Sequence, residues 1–257
     1  MTKIKICGIT NEKDALWAAN TGVDFIGLNF YKNSPRKISV DMAKRIVSKL
    51  PEFVKSVGIF VDEEIETILK IVKKVQLKLI QLHGNETPEF CDELKERITN
   101  TVPANSLWEN RPQIIKVFRI KPEQMFGNQP LFRNQPTSEV VKTEQKPNKC
   151  SEMLQTEQMF GTEHLFGYKS IDYFLFDTFV ENLQGGTGQT FNWDLAVEIK
   201  KAGKPIFLSG GLTPENVTNA IKKVEPFAVD VCSGIERTPT RKDYDKMLAF
   251  VKAVRKV

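Results

Sequence analysis

PIFLSGGLTPENVTNAIKKVEPFAVDV, residues 205–231, carries the pattern that decides the fold. Pro205-Ile206-Phe207-Leu208 is a short apolar run that reads as a strand. A glycine turn and a segment of helical character, Pro214 to Lys223, follow it, and then a second run, Phe227-Ala228-Val229-Asp230-Val231. Near-continuous apolar strands separated by a helix describe a parallel sheet buried on both faces, with a crossover helix between neighbours.

The same unit recurs upstream. Ile4-Lys5-Ile6-Cys7 leads to a helix from Asn11 to Asn20, capped by Asn11 or Thr10. Phe25-Ile26-Gly27-Leu28 and a loop to Ile38 precede a helix from Val40 to Leu50, with Ser39 as N-cap and Pro51 as stop. Val57 to Val61 precedes a helix over 63–75, and Leu77 to Leu82 precedes a helix capped by Thr87. Ile114 to Phe118 and Tyr173 to Phe176 are the fifth and sixth strands. A helix over 194–202 follows the sixth, and a last one runs from about Lys242 to Val254. Eight strand–helix units with right-handed crossovers predict a closed (β/α)8 TIM barrel. An open doubly wound sheet is the structural alternative, but its glycine-rich dinucleotide turn is missing after the first strand, where Cys7-Gly8-Ile9-Thr10 stands.

Composition excludes several classes. The 257 residues are 40% hydrophobic and 27% charged with a net charge of +5, so a small anionic ligand suits the chain and nucleic acid is not demanded. Four scattered cysteines without C-x-x-C spacing, and two histidines, argue against a disulfide framework and a metal site. No signal peptide, membrane span or basic patch with interleaved aromatics stands out, which predicts a cytoplasmic protein with reduced thiols.

One stretch breaks the pattern. Residues 121–170 repeat Glu-Gln-Met-Phe-Gly at 123–127 and 157–161, in a context rich in Gln, Glu, Asn, Thr and Pro. We read an inserted, largely disordered surface segment between strands five and six, with docking of a protein partner as the minor alternative. The barrel is then divided into residues 1–120 and 171–257.

In parallel barrels the chemistry sits at the C-terminal ends of the strands. That rule selects Cys7, Arg36, His83, Asp177, the Gly185–Gly188 loop, Ser209-Gly210-Gly211 and Cys232-Ser233-Gly234. Three glycine loops in one ring suit a phosphate, because glycine lets backbone N–H groups approach an oxyanion. Cys7 is either a small core residue or a thiolate base. Asp177 is either a loop-bonding residue or an acid whose proton is retained by partial burial. Arg36 is a carboxylate clamp or a surface ion pair, and His83 is as often structural as catalytic.

The ordered motifs then resemble one family, phosphoribosylanthranilate isomerase. They are Lys5-Ile6-Cys7-Gly8-Ile9-Thr10, Ser34-Pro35-Arg36, Gln81-Leu82-His83-Gly84 and Phe176-Asp177-Thr178, with Gly185-Gly186-Thr187-Gly188, Leu208-Ser209-Gly210-Gly211 and Asp230-Val231-Cys232-Ser233-Gly234-Ile235-Glu236. The resemblance fails across 121–170, and Pro239-Thr240 replaces a common Pro-Gly. It implies an aldose–ketose isomerase of tryptophan biosynthesis that needs no cofactor or metal. The substrate would be a small molecule carrying phosphate and carboxylate. Cys7 would be the general base and Asp177 the general acid. Arg36, His83, Gly186, Gly211, Asp230, Ser233 and Gly234 would bind substrate, with Arg36 on the carboxylate. An epimerase acting on another sugar phosphate, and a barrel serving as an interaction protein through 121–170, are the competing readings.

Overall fold

The computed structural model describes residues 1–101, 111–119, 165, 167–177, 196–197, 200 and 203–257. In chain order these form β1 (Lys3–Ile6), α1 (Glu12–Asn20), β2 (Phe25–Asn29), α2 (Val40–Val47), β3 (Lys55–Phe60), α3 (Ile65–Val75), β4 (Leu79–Leu82) and α4 (Pro88–Thr101). They continue with β5 (Gln113–Arg119), β6 (Tyr173–Asp177), β7 (Ile206–Ser209), α5 (Val217–Val224) and β8 (Ala228–Val231). A 3-10 turn (Ser233–Ile235), β9 (Glu236–Thr238), β10 (Arg241–Lys242) and α6 (Tyr244–Arg255) complete the described chain. Strands β1 to β8 are parallel neighbours in sequence order, and β8 pairs with β1, so the sheet is a closed barrel. This is the (β/α)8 architecture expected from the repeated strand–helix unit.

Local chemistry sets the boundaries. Asn11 caps α1 by accepting from Asp14 N, and Ser39 caps α2 by accepting from Met42 N, each satisfying an orphan donor of the first turn. Asp243 does the same for α6 by accepting from Lys246 N. Outward-facing strand residues pack on the helices in one continuous layer that includes Ile4, Ile26, Ile80, Ile114, Phe174 and Leu208. Inward-facing residues fill the barrel itself: Phe25, Val57, Leu79, Ile115, Val117, Leu175, Phe207 and Ala228. Tyr173, Phe207 and Phe227 interlock there with centroids 5.1–5.6 Å apart. The barrel is a packed core, so ligands are left only its rim.

The structure corrects one boundary read from composition. Leu165 and Tyr168, assigned to the disordered insertion of residues 121–170, are buried in the core. The Tyr168 ring meets Phe118 edge-on at 5.2 Å, and its hydroxyl donates to Glu86 O at 3.1 Å. Apolar anchoring by two residues overrides the polar composition around them, so the barrel resumes before residue 170. The internal repeat, most of the glycine loop with Gly186, and most of the helix expected over 194–202 lie outside the described residues.

Sequence reading also missed the β9–β10 hairpin. It brings Glu236 and Lys242 over the mouth between β1 and β8, and its turn is tied down by Thr10, whose Oγ1 donates to Thr240 O at 2.9 Å. Thr240 sits at φ 72°, in the region that favours glycine and strains a β-branched residue.

Candidate active site

Parallel register places the inward side chains in levels. Lys5 on β1 is level with Asp230 on β8, and Cys7 N donates to Val231 O at 2.9 Å, so Cys7 and Cys232 continue the two strands one level higher. Lys5 is fully buried and its Nζ donates to Asp230 Oδ2 at 2.9 Å. Burial works against that ammonium, but Asp230 first and then Cys7 outweigh it and hold its pKa above the ordinary lysine value. Asp230 Oδ1 is buried with no partner among the described residues, an open acceptor beneath the mouth.

Above this pair the Cys7 and Cys232 thiols stand side by side at the ends of neighbouring strands, and each shifts the titration of the other. The Cys232 thiol is pulled down to about 7 by its hydrogen bond with Cys7, and Lys242 and Arg36 add to the effect against burial. The Cys7 thiol is pushed well up, by the same bond and by burial. Two such groups titrate as a unit, the first proton leaving readily and the second being retained.

Arg36, in the loop after β2, reaches the same corner. It grips Glu236 with Nε to Oε1 at 2.7 Å and Nη2 to Oε2 at 2.6 Å. Of the two expectations for Arg36, a clamp for a ligand carboxylate or an ion pair, the structure shows an ion pair whose carboxylate the hairpin supplies. The end-on edge of the guanidinium, Nη1 with the second Nη2 hydrogen, is not used by these bonds. The hydrogen bond with Glu236 raises the Arg36 pKa further above its already high value. Glu236 also receives Lys242 Nζ at 3.0 Å; burial pushes its carboxyl up, but Arg36 and Lys242 prevail and hold it below the usual range. Lys242 is itself buried and donates to Cys232 O at 2.9 Å and Cys232 Sγ at 3.7 Å. Gly8, at φ 73°, lies under this cluster. A Cβ there would come within 2.5 Å of Arg36 Cδ and 3.0 Å of Cys232 Sγ, so only glycine lets the groups converge.

Across the mouth, β6 ends in Asp177, which is level with Arg119 on β5 and Ser209 on β7. The apolar run before it does not enclose its carboxyl. Asp177 Oδ2 faces His83 Nε2 at 3.6 Å, and both side chains are partly exposed. His83 Nδ1 meets Gln81 Nε2 at 3.2 Å. The turn after His83 is anchored by Glu86, which accepts from Gly84 N and Asp62 N and pairs with buried Lys116 at 2.7 Å. This pair lies behind the sheet and fixes the loop.

The expected phosphate loops after β7 and β8 touch each other. A Cβ on Gly234 would stand 2.0 Å from Leu212 O, so the 3-10 turn carrying Ser233 and Gly234 lies directly against the Gly211-Leu212 turn. Gly211 takes φ 60°, and Asn216 Nδ2 donates to its carbonyl at 2.9 Å, holding the turn open. Of the sequence-selected residues, Cys7, Arg36, Ser233, Gly234, Gly211, His83 and Asp177 thus share one rim, Asp230 lies one level beneath it, and Gly186 lies outside the described residues.

A family model described as N-(5'phosphoribosyl)anthranilate (PRA) isomerase matches residues 4–114 and 137–253. The chain belongs to that family. It is an isomerase of tryptophan biosynthesis, an intramolecular oxidoreductase of the aldose–ketose type. The N-(5'-phosphoribosyl)anthranilate isomerase of Trichlorobacter lovleyi is 36% identical over 98% of this chain and 97% of its own length. The isomerase of that name from Thermotoga maritima is 36% identical over 98% of each chain. A crystal structure of the Thermotoga maritima enzyme has a TM-score of 0.74 at 35% identity, covering both chains fully. A phosphoribosyl anthranilate isomerase solved with reduced 1-(o-carboxyphenylamino)-1-deoxyribulose 5-phosphate has a TM-score of 0.72 at 33% identity, also with full coverage. In this member of the isomerase family, sequence reading placed Cys232 on the rim without a role and did not assign a part in the site to Lys5, Glu236 or Lys242. For Lys5 the signal is a charged residue within an otherwise apolar strand, which marks either an inward pair or an edge; Glu236 and Lys242 lie in short polar strands that carry no such signal.

Proposed function

We propose that the chain converts N-(5-phosphoribosyl)anthranilate into 1-(2-carboxyphenylamino)-1-deoxyribulose 5-phosphate, with Asp177 as general acid and Cys7 as general base. Asp177 protonates the furanose ring oxygen, and the ring opens to an iminium. The iminium acidifies the C2 proton, Cys7 removes it as a thiolate, and the resulting enolamine tautomerises to the ketone. Electrons move within the substrate only, so no redox cofactor is needed. The observation that carries the reading is the placement of Cys7 after β1 and Asp177 at the end of β6 on one barrel mouth.

The remaining rim residues fit the two anionic ends of that substrate. The abutting turns with Gly211, Ser233 and Gly234 present backbone N–H groups to the phosphate, and the sequence motif assigns Gly186, outside the described residues, to the same anion. Arg36 offers its end-on edge to the anthranilate carboxylate, while Glu236 fixes the guanidinium plane. Asp230 Oδ1 is an acceptor for a sugar hydroxyl. His83 orients Asp177 and takes no proton itself. No helix among the described residues is long and apolar enough to cross a membrane, and we place the enzyme in the cytoplasm. A role for residues 121–170 in docking a partner is a minor part of this proposal.

Cys7→Ala and Asp177→Asn are each expected to lower turnover by about 10²–10⁴-fold with the fold intact by circular dichroism. Loss of phosphoribosylanthranilate fluorescence reports turnover. Near wild-type rates in either variant would overturn the role given to that residue.

A further inference from the structure

The base sits next to a second thiol that the reaction scheme does not use. Cys232, the residue after β8, is level with Cys7, the residue after β1, so the two thiols are neighbours at adjoining strand ends, and the corner around them is crowded with fixed charge. Lys5 with Asp230 lies one level below on the same two strands. Lys242 on β10 approaches Cys232 Sγ at 3.7 Å and is held there by Glu236 on β9 and by Cys232 O. Arg36 arrives from the loop after β2, and Asp14 on α1 accepts from Lys242 N at 3.0 Å. Every cation of the group is tied to a carboxylate or a carbonyl, so none of them is free to swing away.

This arrangement addresses a requirement of the chemistry. A thiol base must be ionised before it can take the C2 proton, yet Cys7 is buried, where a lone thiolate is costly. A neighbouring thiol that exchanges one proton with it removes that difficulty. In one state the proton is on Cys7 and Cys232 is the thiolate facing Lys242. In the other the proton has crossed to Cys232, and Cys7 is a thiolate that accepts an S–H hydrogen bond. The total number of protons does not change in the transfer.

Resting on the role of Cys7 given above, we propose that Cys232 is the positioning residue of the base: the two thiols hold a single proton between them, and Lys242 fixes the charge on the Cys232 side. Cys232 does not touch the reacting carbon; it acts through Cys7.

Two measurements test this. The first is the pH dependence of kcat/KM for the isomerisation in wild type, Cys232→Ala and Cys232→Ser. With no second thiol, Cys7 must lose its proton to water, and the acidic limb moves up by about one pH unit, a tenfold loss of thiolate at fixed pH. Cys232→Ser keeps a hydrogen-bond donor without a proton acceptor, so its limb moves less, and both variants recover rate as pH rises. An unmoved limb in Cys232→Ala, with the rate lowered equally at every pH, would reduce Cys232 to a packing residue and overturn the proposal. The serine variant, close in size, keeps the test valid should the alanine variant fail to fold.

The second measurement is the thiolate ultraviolet absorbance of the free enzyme, which does not depend on turnover. Wild type is expected to show one thiolate near neutral pH and a second far above it. Cys7→Ala and Cys232→Ala each lose the low step and titrate once at higher pH. Cys91, pushed up to about 12 by burial, stays silent in this range. Independent titration of the two thiols in wild type, at the values of the single variants, would refute the shared proton. A shared proton together with full activity of Cys7→Ala would instead overturn the role of Cys7 as base.

Discussion

The two sides of the barrel mouth are built to opposite specifications. The side of Cys7 is dense: Lys5 pairs with Asp230, and Glu236 joins Arg36 to Lys242, with most of these side chains buried. On the side of Asp177 the described residues give one charged contact, His83 at 3.6 Å, and both side chains are partly exposed. A group that must become negative inside the protein needs fixed positive charge around it. A group that must deliver a proton and regain it gains from access to water and one neighbour. The difference teaches that the Cys7 half of the rim is also a structural joint, built from buried ion pairs, whereas the described contacts of Asp177 leave its carboxyl partly open to water.

The largest effect that would break this contrast concerns Lys242. Lys242→Met leaves Glu236 and the thiols short of a buried cation, and unfolding by urea should show a loss of about 3–5 kcal/mol. The matching change on the other side, His83→Gln, should leave stability within about 0.5 kcal/mol and lower kcat about tenfold, with KM little altered. Equal losses of stability in the two variants would erase the distinction.

A smaller effect appears in acid. Glu236 has a depressed carboxyl pKa in the folded protein, so its contribution to stability is complete above the ordinary glutamate value, about 4.3, and is lost as pH falls through the lower folded value. Glu236→Gln should therefore flatten the stability curve below about pH 4.3 in chemical denaturation series. A slope unchanged from wild type would show that Arg36 and Lys242 do not hold this carboxylate. The smallest effect lies in the hairpin turn. Thr240→Gly relieves the positive φ and should add up to about 1 kcal/mol, seen as a higher Tm, without altering kcat.

What the sequence could reveal followed the range of the signal. The strands were legible because each is a short apolar run, and caps such as Asn11 and Ser39 announce their helices from one residue. Cys7, His83 and Asp177 were selected as candidates because a barrel places all strand ends on one rim. The hairpin was not found: β10 has two residues, Arg241 and Lys242, and nothing in such a polar pair distinguishes a strand from a loop. The Arg36–Glu236 grip joins residues 200 positions apart, so no local pattern could show that the fork was already engaged. Leu165 and Tyr168 were missed for a related reason, since two anchoring residues scarcely change the composition of the polar stretch around them.

The pairing of β1 with β8 also dictates an order of events during synthesis. Until Ala228–Val231 has left the ribosome, the first strand made has an unpaired edge. At about 5–20 residues per second that interval is on the order of ten to forty seconds, long enough for a nascent edge to find the wrong partner. The first strand alternates lysine and isoleucine, Lys3-Ile4-Lys5-Ile6, and its lysines end up with Asp24 and Asp230. Until Asp230 is made, Lys5 lacks its carboxylate partner, and a bare ammonium group on that strand disfavours pairing with the β1 edge of a neighbouring nascent chain.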